Sequence, residues 1–136
     1  MQETLREVAP GLWVSDQDSA RDLGGDFALV VDCTGWARPT GSTGHAWTPE
    51  DLDAIVARVG PLLKAGKPVL IHCRRGVSRS ACAAAAVLLA DGGAGTVSGA
   101  LAKTTFESKV PSSQSVGGLR KWWKAREAAR QVGLFG

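Results

Sequence analysis

KPVLIHCRRGVSRSACAAAAVLLA, residues 67–90, is the stretch that decides how this chain folds. Its opening, Pro68 to Cys73, is a short apolar run rich in β-branched residues, the length and composition of one buried strand. Its close, Ser80 to Leu89, is apolar nearly all round, the pattern of a helix buried at the centre of a domain. Only six residues, RRGVSR, separate them, so a strand must feed a helix through a tight loop, and that unit belongs to α/β architecture.

Working outward, Leu12–Val14 and Ala28–Cys33 read as two further buried strands. Thr48-Pro49-Glu50-Asp51 opens a helix: a threonine N-cap, proline at the first helical position and acids facing the positive end of the dipole. Leu52, Ile55, Val56, Val59, Leu62 and Leu63 continue it at helical spacing, and KAGKP ends it. Thr96 to about Thr105 predicts a short helix. After the breaker VPSSQSVGG, Leu119 to about Val132 predicts another, with Leu119, Trp122, Trp123, Ala129 and Val132 as its apolar stripe. The expected fold is α/β: a small central, mostly parallel sheet flanked by helices, in a single domain spanning residues 1–136.

The loop between the third strand and its helix carries the chemistry. Consecutive backbone N–H groups in such a turn curl into an anion-binding nest, and the following helix adds its partial positive charge. The same field stabilises a thiolate. Cys73 is therefore a candidate nucleophile, aimed at a phosphorus atom gripped by the planar fork of Arg79. A cation in the first turn of a helix opposes the dipole unless an anion is bound there, which strengthens that reading of Arg79.

These residues resemble a family. HCRRGVSRS is similar to the catalytic loop of cysteine-dependent protein phosphatases, the dual-specificity branch in particular, and the likeness extends to GLWVSDQDSA, to EDLDAIVARVGPLLKAGKPVLIHC and more weakly to KVPSSQSVGGLRKWW. The resemblance implies that Cys73 attacks phosphorus and becomes a phosphocysteine. Arg79 holds the equatorial oxygens, Ser80 donates to the sulfur as it leaves, and His72 orients the loop without moving a proton. Arg74, Arg75, Gly76, Val77 and Ser78 supply the phosphate-binding amides, with Gly76 allowing the tight backbone path. No metal and no cofactor are implied. The substrate is a phosphorylated protein, or another phosphomonoester such as a phosphoinositide or an RNA 5′-phosphate. A phosphate-binding module without turnover is the reading from a different class.

One departure stands out. Relatives carry a general-acid aspartate on a loop upstream of the cysteine strand, after an additional strand, whereas here that place reads RPTGSTGHAW, with no carboxylate. The shortened loop implies that the strand and the acid are reduced or absent. Asp32, His45, Glu50, Asp51 and Asp53 are the nearby candidates, and the sequence does not choose among them. Cys82 reads as a core thiol. Cys33 ends a strand expected beside that of Cys73, so it is either another core thiol or, as in some relatives, a partner for an oxidised Cys73.

Composition narrows the remainder. The 136 residues are 44% hydrophobic and 21% charged, ordinary for a globular protein. Three cysteines and two histidines without a Cys-x-x-Cys pair make neither a disulfide framework nor a zinc site. The net charge of +3 favours anionic ligands without forming a nucleic-acid binder's basic stripe. The Ala81–Ala90 run is too short to span a bilayer, and no secretory signal is legible at the N-terminus. The expectation is a cytoplasmic monomer with no nucleic-acid and no membrane partner, the Trp pair of LRKWWKAREAAR belonging to a core helix with one solvated side.

Overall fold

A computed structural model describes residues 5–33, 47–73, 79–105 and 113–131. Four strands form one sheet: β1 (Leu5–Ala9), β2 (Leu12–Ser15), β3 (Leu29–Asp32) and β4 (Val69–His72), in the order β1-β2-β4-β3. β4 runs parallel to both neighbours, and β1 returns antiparallel on β2. The expected mostly parallel sheet is thus present, with an antiparallel edge strand the sequence analysis did not place. β1 carries Arg6 and Glu7 side by side between apolar residues and is at most partly buried, so it lacks the continuous apolar run of a central parallel strand.

Among the described residues five α-helices surround the sheet: α1 (Gln17–Leu23), α2 (Pro49–Lys64), α3 (Arg79–Asp91), α4 (Val97–Thr104) and α5 (Ser113–Gln131). α2 starts as its sequence dictates. The Thr48 hydroxyl accepts from the Asp51 N–H at 3.1 Å and the Asp51 carboxylate accepts from the Thr48 N–H at 3.4 Å, a reciprocal capping box. α1, missed in the sequence, is a short helix whose N-terminus Asp16 caps by accepting from the Ser19 N–H at 2.8 Å.

Side chains alternate across the sheet. Leu12, Val14, Val31, Val69 and Ile71 join the core that α2, α3, α4 and α5 close on one face. Leu70 is buried outside that core, as is Ala20 of α1, which covers the opposite face. Every residue of α3 from Ser80 to Leu89 is buried, because the sheet and three helices surround it. Its alanines are what let those neighbours approach so closely.

α5 corrects one expectation. It begins at Ser113 and continues through Gly117 and Gly118, residues that in sequence read as a helix stop. The physical reason is packing. A Cβ at Gly118 would lie 2.8 Å from the backbone nitrogen of Trp47 and closer still to its carbonyl oxygen, so this glycine admits a neighbouring backbone.

Candidate active site

The site lies where β3 and β4 end and α3 begins. The ladder continues one residue beyond both strands, the Cys33 N–H donating to the His72 carbonyl at 2.8 Å. Cys33 and Cys73 therefore stand side by side, and both belong to the core on the α3 face. Asp32 and His72, one residue earlier and in register with each other, belong to the opposite phase of the pleat.

Cys73 is 6% exposed. Its Sγ lies 3.2 Å from the Ser80 Oγ, with Ser80 fully buried in the first turn of α3. A hydroxyl so placed can hydrogen-bond the sulfur, and donation from it stabilises a thiolate more than a thiol. Arg79, the first residue of α3, donates from Nη1 to the Cys33 carbonyl at 3.1 Å. That bond holds the guanidinium just beyond the end of β3, beside the strand that carries Cys73. His72 is buried at the end of β4 with Nε2 3.9 Å from Asp32 Oδ1, and its Nδ1 has no hydrogen-bond partner among the described residues. Four expected site residues, Cys73, Arg79, Ser80 and His72, are thus gathered at one end of the sheet. Arg74, Arg75, Gly76, Val77 and Ser78 lie outside the described residues.

The candidate acids are placed as follows. Asp51 is engaged in the capping box, and Glu50 faces the dipole in the same first turn. Asp53 points to α5, where Oδ1 accepts from Trp122 Nε1 at 2.8 Å and lies 3.6 Å from Arg126. Asp32 pairs with His72 on the other phase of the sheet. His45 lies outside the described residues.

Cys82 is fully buried on α3. Burial, reinforced by the charge of Cys73, pushes its thiol from 9.0 up to about 12, so it stays protonated and inert at neutral pH. Linkage gives this a measurable sign. The unfolded thiol ionises from pH 9.0 while the folded one does not until about 12, so stability is complete below pH 9 and falls as pH rises toward 12. In Cys82→Ala that part of the alkaline loss in Tm should disappear, and an unchanged slope would contradict it.

Trp47 is the site residue that sequence reasoning missed. It is 2% exposed, and its indole Nε1 donates to the carbonyl of Arg79 at 3.1 Å. Trp47 thereby pins the residue that starts α3, and Gly118 of α5 seats the Trp47 backbone. No local pattern announces a contact between residues 32 positions apart. It yields a paired expectation for adjacent glycines. Gly117 has nothing within 4 Å of its Cβ position, so Gly117→Ala should gain about 0.5–1 kcal/mol from helix propensity. Gly118→Ala should instead lose about 1–3 kcal/mol by overpacking, and should lower any activity that depends on Arg79. Thermal denaturation of both variants reads the opposite signs.

No family model matches the sequence, and no curated protein matches it. Solved structures do. Human DUSP28 superposes with a TM-score of 0.76 at 19% identity, covering 93% of this chain and 97% of that one. Tk-PTP in its active form gives 0.73 at 20% identity over 93% and 99% of the two chains. PTPMT1 in complex with PI(5)P gives 0.74 at 15% identity over 94% and 99%. The chain has the compact fold of dual-specificity and tyrosine phosphatase-like structures.

Proposed function

We propose that this single domain is a phosphomonoester hydrolase working through a phosphocysteine, with phosphotyrosine and phosphoserine or phosphothreonine proteins as its substrate class. The observation that carries the reading is the buried Ser80 hydroxyl 3.2 Å from Cys73 Sγ, one residue after the arginine that begins α3. The thiolate of Cys73 attacks phosphorus, the ester P–O bond breaks and the leaving oxygen takes its electron pair. Arg79 neutralises charge on the transferring oxygens. Water then attacks the phosphocysteine, the S–P bond breaks, and Ser80 donates to the departing thiolate while phosphate leaves with the added oxygen. The phosphatase-type neighbours support the coarse activity. The placement of Cys33 beside Cys73 supports its use as a partner when Cys73 is oxidised.

The test is hydrolysis of an aryl phosphate with and without vanadate. Vanadate-sensitive turnover is expected, while phosphate binding without turnover would establish a recognition module instead. Residues 34–46 contain no Asp or Glu, and Asp51 and Asp53 are engaged elsewhere. Rates should therefore fall steeply from aryl to alkyl phosphates, since general acids typically supply about 10²–10⁴-fold. A phosphoinositide is the second reading, favoured by Arg74 and Arg75 in the loop and by the PI(5)P complex of PTPMT1. Phosphopeptide and phosphoinositide substrates assayed together separate the two.

A further inference from the structure

α5 carries the charge of this chain. Five basic residues, Arg120, Lys121, Lys124, Arg126 and Arg130, stand on it against one acid, Glu127, for a net of +4. The whole chain is +3, so everything outside α5 sums to −1. The opposite face of the sheet has the opposite sign: residues 16–26 hold Asp16, Asp18, Asp22 and Asp26 against Arg21 alone.

The structure separates the buried from the exposed side of α5. Leu119, Trp122 and Trp123 enter the core, and Arg126 leans over the Trp122 ring at 5.4 Å and toward Asp53. Arg120, Lys121, Lys124 and Arg130 are exposed and have no ion pair or hydrogen bond among the described residues. Arg120 and Lys124 are four apart and Lys121 and Lys124 three apart, so they repel one another on the helix surface. On α5 itself Glu127, three positions from both Lys124 and Arg130, offsets only part of that repulsion. An anionic partner offsets more.

The shape of the face selects the partner. α5 lies against α2, α3 and α4, so it does not protrude as a helix must to enter a nucleic-acid groove. Both of its tryptophans point inward, leaving no ring on which a single-stranded base stacks. The exposed positions between the cations are Ala125, Glu127 and Ala128, with none of the large apolar anchors at the centre of a protein interface. Cations spaced along a packed helix, with two alanines and one acid between them, match an extended anionic surface.

We propose that the outer face of α5 docks the protein on anionic phospholipid bilayers. This is adsorption, not insertion: among the described residues no helix is long and apolar enough to cross a membrane. The core helix with one solvated side expected for LRKWWKAREAAR is what the structure has, Trp122 and Trp123 being buried, so adsorption would rest on the exposed cations of the solvated side alone. Each Lys or Arg held near such a surface changes partitioning about fivefold, and salt screens the attraction over roughly 8–10 Å.

The experiment is co-sedimentation of the full chain with vesicles of phosphatidylcholine alone or of an equimolar phosphatidylcholine and phosphatidylserine mixture, at low and at high salt. Binding is expected only to the mixed vesicles, and it should vanish at high salt. The triple variant Arg120→Ala, Lys121→Ala, Lys124→Ala should bind about a hundredfold more weakly. Arg58→Ala, which removes an exposed cation of α2, should bind as the parent does. Circular dichroism confirms that each variant is folded. Equal binding to both vesicle types, a triple variant that binds like the parent, or capture of RNA or an acidic peptide without vesicle binding overturns the proposal. Vesicle binding is read without any substrate, so its failure is distinct from failure of the phosphatase reading.

Discussion

Cys73→Ser is expected to lower turnover of an aryl phosphate by more than about four orders of magnitude, the scale at which loss of a nucleophile removes catalysis. The substitution changes one atom. It keeps the volume at the end of β4 and leaves a hydroxyl to face Ser80, 3.2 Å away in the parent. What it removes is the thiol that supplies the nucleophilic thiolate: a serine hydroxyl beside Arg79 remains an alcohol, and an alcohol without a base is a poor nucleophile toward phosphorus. Phosphate affinity should be kept or rise, because the binding amides and the guanidinium remain and a thiolate no longer repels the dianion. Single-turnover kinetics and calorimetric titration with phosphate read the two halves separately. Full turnover in the variant ends the phosphocysteine mechanism, and loss of both turnover and phosphate binding means that Cys73 holds the loop together instead.

The contrast between Cys73 and Trp47 shows what the sequence makes legible. The parallel strand, the tight loop and the buried helix around Cys73 are local patterns, each set by side chains within a few residues, and the structure places β4 and α3 where those patterns put them. The N-cap at Thr48 is local in the same way. β1 was hidden because an edge strand needs no continuous apolar run, and α1 because seven residues carry too few turns to show a period. The role of Gly118 was unreadable for a different reason. A glycine that stops a helix and a glycine that admits another backbone look identical until the chain from elsewhere arrives, and here that chain is Trp47. The choice among the acid candidates was unreadable for the same reason: Asp53 has a carboxylate's chemistry wherever it points, and only the fold shows that it accepts from Trp122 on α5.

Arg79→Lys is expected to cost about 10³-fold or more in kcat, the range in which arginine clamps act on transferring phosphoryl groups. The size follows from what Arg79 does with its donors at once. Nη1 donates to the Cys33 carbonyl at 3.1 Å, which anchors the guanidinium, and the planar N–H fork of an arginine is the geometry that matches two phosphate oxygens. A lysine keeps the charge but offers a single rotating ammonium, which serves either the carbonyl or one oxygen and fixes no plane. Attraction to the anion in the ground state should therefore survive better than stabilisation of the equatorial charge that grows in the transition state, so kcat should fall far more than KM rises. Folding should be little affected, because the Trp47 indole holds the backbone carbonyl of residue 79, which the substitution leaves in place. The measurement is kcat and KM for an aryl phosphate beside a thermal unfolding curve. A loss under about fivefold removes Arg79 as the clamp. A large loss accompanied by collapse of Tm assigns it instead to the structural bond with Cys33, and guanidinium geometry would then matter to the fold before it matters to phosphate.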